Sequence, residues 1–148
     1  MKTIKSKHVG CYGIVYNDKE EVLLIKKARG PYTGQLDLPG GGIEHNETPI
    51  EGLHRELKEE AGVTVIKEEL ITATSRSFKW QIKKDLIEEL LHIGILYKVE
   101  VKEDKLKEDP DGLDSNGCNF YEIKKLHKKD LTPFTIEGLE LIGYKLKD

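Results

Sequence analysis

The sequence is poor in the features that mark secreted, membrane and fibrous proteins. Two cysteines, Cys11 and Cys118, are too few for a disulfide scaffold or a four-thiolate zinc site. They read as reduced thiols of a cytoplasmic protein. No apolar run approaches the roughly 20 residues needed to span a bilayer, so no membrane partner is expected. The opening MKTIKSKHVG lacks a signal-peptide apolar stretch. Neither sign of charge dominates: 24 basic against 27 acidic residues give a net charge of −3. A chain that holds nucleic-acid polymers through its bulk electrostatics is clearly basic, so no polymeric nucleic acid is expected as partner. No repeat, low-complexity tract or Pro/Gly/Ser-rich linker divides the 148 residues. One domain, 1–148, is expected around a single core, as a monomer or homodimer.

What is present is an alternation of strands with one strong helix. His8 to Tyr16 reads as a strand closed by Asn17-Asp18, and Glu21 to Lys26 as a second, so the two are expected to form a hairpin. Gly30 to Gly34 is a loop, and Leu36 to Leu38 a short extended piece ended by Pro39. Thr48 then stands where an N-cap belongs, Pro49 suits the first helical position, Glu51 completes a capping box and Gly62 supplies the stop. Ile50, Leu53, Leu57 and Ala61 repeat at helical spacing and form the expected buried stripe. Val63–Ile66, Ile71–Phe78 and His92–Val101 look extended, residues 102–117 read as a loop, and Asn119–Ile123 as a last short strand. Thr132-Pro133 opens a C-terminal helix carrying Ile136, Leu139, Ile142 and Leu146. This order predicts a mixed sheet with helices packed on it.

The chemistry concentrates in PGGGIEHNETPIEGLHRELKEEAGV, which begins at Pro39. At about 100° per residue, Glu56 and Glu60 stack one turn apart with Glu59 beside them, and Arg55 borders the same arc. Like charges at such spacing repel by roughly 0.2–0.5 kcal/mol per exposed pair, and a cation among them reverses that sign. Mg²⁺ takes one or two protein carboxylates together with substrate phosphates. Gly40, Gly41 and Gly42 let a ligand approach the main chain closely. Gly52 faces the carboxylate arc inside the helix, where it costs about 1 kcal/mol relative to Ala and leaves room for the glycine loop or for substrate.

The pattern resembles the signature of the Nudix (MutT/Nudix) hydrolase superfamily, met at Gly41, Glu47, Arg55, Glu56, Leu57, Glu59, Glu60, Gly62 and Val63. Asn46 stands where many members have glycine, and Asn tolerates the left-handed conformation. The resemblance implies an α/β/α sandwich with a mixed sheet and a loop–helix–loop that binds Mg²⁺ or Mn²⁺. It implies attack of water on a phosphorus of a nucleoside diphosphate linked to another group, a small-molecule nucleotide substrate. By position, Glu59 and Glu60 look like metal ligands with the backbone carbonyl of Gly40. Glu56 is a third ligand or the general base. Arg55 resembles the residue that orients these glutamates, and Glu47 resembles the one that braces the loop. Asp114 stands where several members add a carboxylate.

Substrate signals are thin. No proline lies between Pro49 and Pro110, and no tyrosine between Tyr32 and Tyr97, where ADP-ribose and diadenosine-polyphosphate enzymes often carry them. Thr135 occupies about the place where 8-oxo-dGTP enzymes read the base with asparagine. Trp80 is either a base-stacking residue or a sheet aromatic. Lys26, Lys27 and Arg29 either meet phosphate or form a solvated basic face. The five histidines show no metal-ligand spacing. A metal-dependent pyrophosphohydrolase is the favoured class; a non-catalytic nucleotide sensor on the same fold is the alternative.

Overall fold

The computed structural model describes residues 1–103, 106 and 115–148. Seven strands and two helices follow in the order β1 (Lys2–Val15), β2 (Glu21–Lys27), β3 (Leu36–Asp37), β4 (Gly40–Gly42), α1 (Pro49–Ala61), β5 (Val63–Lys83), β6 (Leu86–Glu103), β7 (Ser115–Glu122) and α2 (Pro133–Leu141). Strands β4-β1-β6-β5 form one sheet, and β3-β2-β7 a second. The first sheet is mixed. β1 and β6 run parallel from Lys2↔Leu86 to Val15↔Val99, whereas β5 pairs antiparallel with β6 and β4 with β1.

Helix α1 forms where its local chemistry directs it. The Thr48 hydroxyl accepts from the Glu51 N–H, the Glu51 carboxylate accepts from the Thr48 N–H, and Gly62 closes the helix at φ 75°. Its buried residues are Gly52, Leu53, Leu57 and Ala61. Ile50, expected in the stripe, is instead 44% exposed. It points in the right direction around the axis, but it lies on the first turn, before the helix reaches the packed part of the molecule. Asn46 is left-handed at φ 67°.

The expected β1–β2 hairpin is not formed. Only Tyr16↔Val22 bridges the two strands, while β2 pairs with β3 and β7 in the other sheet. The reason is burial on both faces. Leu23 and Ile25 join the core cluster under α1, and Val22 and Leu24 join the cluster under α2. A strand apolar on both sides is stable only between two packed layers. The extended stretches after α1 are also longer than their apolar patterns: β5 and β6 form one long hairpin around a turn at Lys84-Asp85.

The result is α1 on one side, sheet in the middle and α2 on the other. Phe134 of α2 lies over Gly94, where a Cβ would meet its ring, and Gly138 lies over Ile14. Leu139 and Leu146 are buried in this layer, with Ile136 and Ile142 partly buried against it. Cys11 and Cys118 are free thiols buried in the core. Among the described residues, no helix is long and apolar enough to cross a membrane.

Candidate functional site

Arg55 is the hub of the site. Its Nε donates to Glu47 Oε2 at 2.7 Å and its Nη2 to Glu47 Oε1 at 2.8 Å, a bidentate pair. Nη1 reaches Glu56 at 2.9 Å and Glu59 at 3.2 Å, and Nη2 also donates to the Gly42 carbonyl at 3.0 Å. One guanidinium therefore ties the glycine strand and the pre-helix loop to the helix. Glu47 accepts in addition from the Glu44 N–H at 2.9 Å. The Arg55 hydrogen bonds and that N–H together hold its carboxyl down at about 2. The same carboxylates raise Arg55 above its ordinary value. Gly52 explains itself here: a Cβ would lie 3.0 Å from Glu47 Oε1 and 3.2 Å from Cys11 Sγ, so its missing side chain makes room for the brace.

The other carboxylates surround the glycine strand. Gly40 donates its N–H to Glu60 Oε1 at 2.9 Å. A Cβ on Gly40, at φ 144°, would collide with the Cys11 carbonyl, and one on Gly41 would sit 2.7 Å from the Glu56 carboxylate. Only glycine permits β4 to pass so close to β1 and to the acidic arc. Burial pushes Glu60 up to about 8, with the charges of Asp37 and Glu56 adding to the shift. Burial likewise raises Glu56, aided by Glu59 and Glu44. Glu59 is exposed. Desolvated, mutually repelling carboxylates of this kind are what a divalent cation would relieve, and hard oxygen donors suit Mg²⁺ or Mn²⁺. The donor chemistry fits. As arranged, however, Arg55 holds Glu56 and Glu59, and among the described residues no three His, Cys, Asp or Glu side chains stand as a ready metal cage. Asp114 lies outside the described residues.

A cleft of about 350 Å³ is lined by Lys27, Arg29, Tyr12, Asp37 and His92 and by no residue of α1. Lys27 ends β2, and its charge lowers the pKa of both Glu60 and Asp37. Asp37 is buried. Its Oδ1 accepts from the Thr132 hydroxyl at 2.6 Å and the Leu38 N–H at 2.9 Å, while burial raises its pKa. Thr132 thus serves Asp37 rather than capping α2, and Thr135, fully buried, bonds Thr132 at 2.8 Å. Trp80 is not among the cleft residues. It sits two residues beyond Phe78 toward the hairpin tip, donating to Glu88 at 2.7 Å. His54 lies off the carboxylate arc, 2.9 Å from Glu68.

Sequence reasoning passed over Asp37, Tyr12, His8 and His92. The one visible signal was an acid between two leucines in LDLP. The pairing of His8 with His92 depends on the parallel β1–β6 register, which no local pattern reports.

The chain is similar to several known proteins. The human 8-oxo-dGDP phosphatase NUDT18 is 38% identical over 73 residues, 47% of this chain and 23% of that protein. The RNA pyrophosphohydrolase of Halorhodospira halophila is 39% identical over 74 residues, 50% of this chain and 39% of that one. The chain thus spans well under half the length of these curated relatives. The crystal structure of a MutT NUDIX hydrolase from Burkholderia pseudomallei superposes with a TM-score of 0.69 at 24% identity, covering 92% of this chain and 98% of that one. The family model for the NUDIX domain matches residues 6–141, nearly the whole chain, and with the box geometry above it places this protein in the NUDIX family.

Proposed function

We propose that this protein is a pyrophosphohydrolase that cleaves a phosphoanhydride bond of a small nucleotide derivative with the help of Mg²⁺ or Mn²⁺. The observation that carries the reading is the acidic arc of α1, in which Glu56 and Glu60 are desolvated and crowded beside the glycine strand. Glu56, Glu59 and Glu60 would hold the cation, with the Gly40 carbonyl and, by sequence position alone, Asp114 as further ligands. A bound divalent cation would supply charge neutralisation on the phosphate oxygens and acidify the attacking water. Arg55 fixes the directions of Glu56 and Glu59, and Glu47 fixes Arg55. Either Glu56 or Glu60 accepts the proton of the attacking water. Gly41 and Gly42 allow the phosphate chain to approach the backbone, and Lys27 and Arg29 meet its negative charge from the cleft. Relatives named as an 8-oxo-dGDP phosphatase, an RNA pyrophosphohydrolase and an ADP-ribose pyrophosphatase support a nucleotide substrate in general.

The alternative is a nucleotide sensor without turnover. Three clustered carboxylates speak against it, because a pure binder of anionic ligands gains nothing from them. A phosphate- and nucleotide-release screen over nucleoside triphosphates, sugar nucleotides and dinucleotides, with and without Mg²⁺, separates the two. Turnover of at least one class, lost without metal, is expected; silence across the panel would shift the balance to the sensor.

A further inference from the structure

We infer that His92 is a specificity-determining residue that donates to a carbonyl of a nucleobase seated in the cleft, which selects oxo bases over amino bases; this rests on the nucleotide reading above. His92 is 6% exposed on β6, directly across from His8. Its Nε2 lies 2.7 Å from the Tyr12 hydroxyl, and its Nδ1 is buried with no hydrogen-bond partner. A buried polar atom without a partner is unfavourable unless something supplies one.

The donor sense follows from counting protons. Burial, with the charges of His8 and Lys27, lowers His92 to about 4, so the ring is neutral near pH 7 and carries one N–H. If the Tyr12 hydroxyl donates to Nε2, a single orphan remains, the Nδ1–H. If Nε2–H donates instead, both a bare Nδ1 and the Tyr12 hydroxyl proton are left over. The first arrangement leaves fewer unmet groups, so Nδ1–H is a donor in need of a carbonyl. Asp37 lines the same cleft, but its Oδ1 is already taken by the Thr132 hydroxyl and the Leu38 N–H. A lone N–H donor on the cleft lining complements a base carbonyl. Guanine, uracil and 8-oxopurines present one where adenine and cytosine place an amino group.

The surroundings suit a flat ring. Tyr32 packs 5.3 Å from Phe78 and 6.0 Å from His92, at 32° to the imidazole. It rides on a turn between Gly30 and Gly34, both at positive φ with open space beside them. Tyr32 lines the cleft together with His92, and its ring offers an aromatic face for the base to stack on. Thr135, at about the place where 8-oxo-dGTP enzymes carry asparagine, is buried and bonded to Thr132.

The test titrates GMP, UMP, AMP and CMP into the protein by calorimetry, since monophosphates need no hydrolysis. GMP and UMP should bind about tenfold or more tighter than AMP and CMP. His92→Phe keeps an aromatic ring but no nitrogen and should collapse that gap, while His92→Gln, which retains an N–H donor, should restore part of it. Against triphosphates the same change should appear in KM, with kcat held. Equal affinity for all four in the unaltered protein, or an undiminished gap in His92→Phe, overturns the inference. A measurement without variants guards against misfolding: the His92 Nδ1–H resonance should shift downfield with GMP and stay in place with AMP, and an unmoved resonance also overturns it. Base selectivity without any turnover would sink the hydrolase reading alone, and turnover without selectivity this inference alone.

Discussion

Charge at Glu59 and Glu60 is the residue-scale determinant, and it separates function from stability. Glutamine keeps the shape and helix propensity of glutamate but is a weaker ligand for a divalent cation. Glu59→Gln gives up an exposed contact with Arg55 at 3.2 Å, a pair of small worth. Glu60→Gln keeps an amide oxygen for the Gly40 N–H and relieves repulsion from Asp37 and Glu56. Both variants should therefore lose metal-dependent hydrolysis severely while melting, without metal, no lower than the parent. Leu57→Ala is the control. Fully buried, it should cost about 2–5 kcal/mol of stability whatever the function. Near-normal turnover in both glutamine variants would remove α1 from the chemistry. His92 gives a second residue-scale expectation. Its folded pKa of about 4 lies below the unfolded value of 6.5, so between these limits the unfolded chain binds the extra proton. Its contribution to stability is complete above pH 6.5 and is lost as pH falls through 4. Raised carboxylates such as Asp37 titrate with the opposite sign, so the measurable quantity is a difference: the melting temperature of the parent should fall more steeply from pH 6.5 to 4 than that of His92→Phe. Parallel slopes would show that His92 is not held neutral by burial.

Elements differ in how far their own sequence specifies them. Helix α1 was legible to its caps, because Thr48, Pro49, Glu51 and Gly62 act on backbone groups within a few residues. The box residues were legible with it, since Arg55 meets Glu56 and Glu59 on the same helix. Thr48→Ala should accordingly cost about 1 kcal/mol, read as a lower melting temperature with the metal-dependent activity retained at low temperature. A cost near zero would mean that tertiary packing alone holds the first turn. The long β5–β6 hairpin was less legible. Its turn at Lys84-Asp85 has no glycine or asparagine, Asp85 itself adopting φ 63°. Irregular register near Ile66, Ile71 and Ile82 breaks the alternation that marks a strand. The pairing of β2 was misread for a reason of scale: VLLI looks like half of a hairpin until two cores are seen to need its two faces.

On the scale of the whole molecule, the site is where the layers meet. β4 joins the edge of the mixed sheet, α1 covers one face, and the cleft opens beside α2 on the other, with Lys27 of the second sheet acting on Glu60 of the first layer. A cation bound to the acidic arc would tie α1 to the glycine strand β4 at the edge of the mixed sheet, so its binding should stabilise the native state. Binding to the native state alone raises stability by RT ln(1 + [L]/Kd), about 2.7 kcal/mol at a hundredfold excess over Kd. The melting temperature of metal-free protein should therefore rise with millimolar Mg²⁺ or Mn²⁺ and return on chelation. In Glu59→Gln/Glu60→Gln the rise should shrink or vanish. Monovalent salt at matched ionic strength supplies the comparison, because general screening would lift both proteins alike. A rise equal in parent and double variant would assign the effect to screening. No rise in either, with turnover still metal-dependent, would mean that the cation enters only with the substrate's phosphates, a division of ligands that Mg²⁺ commonly adopts.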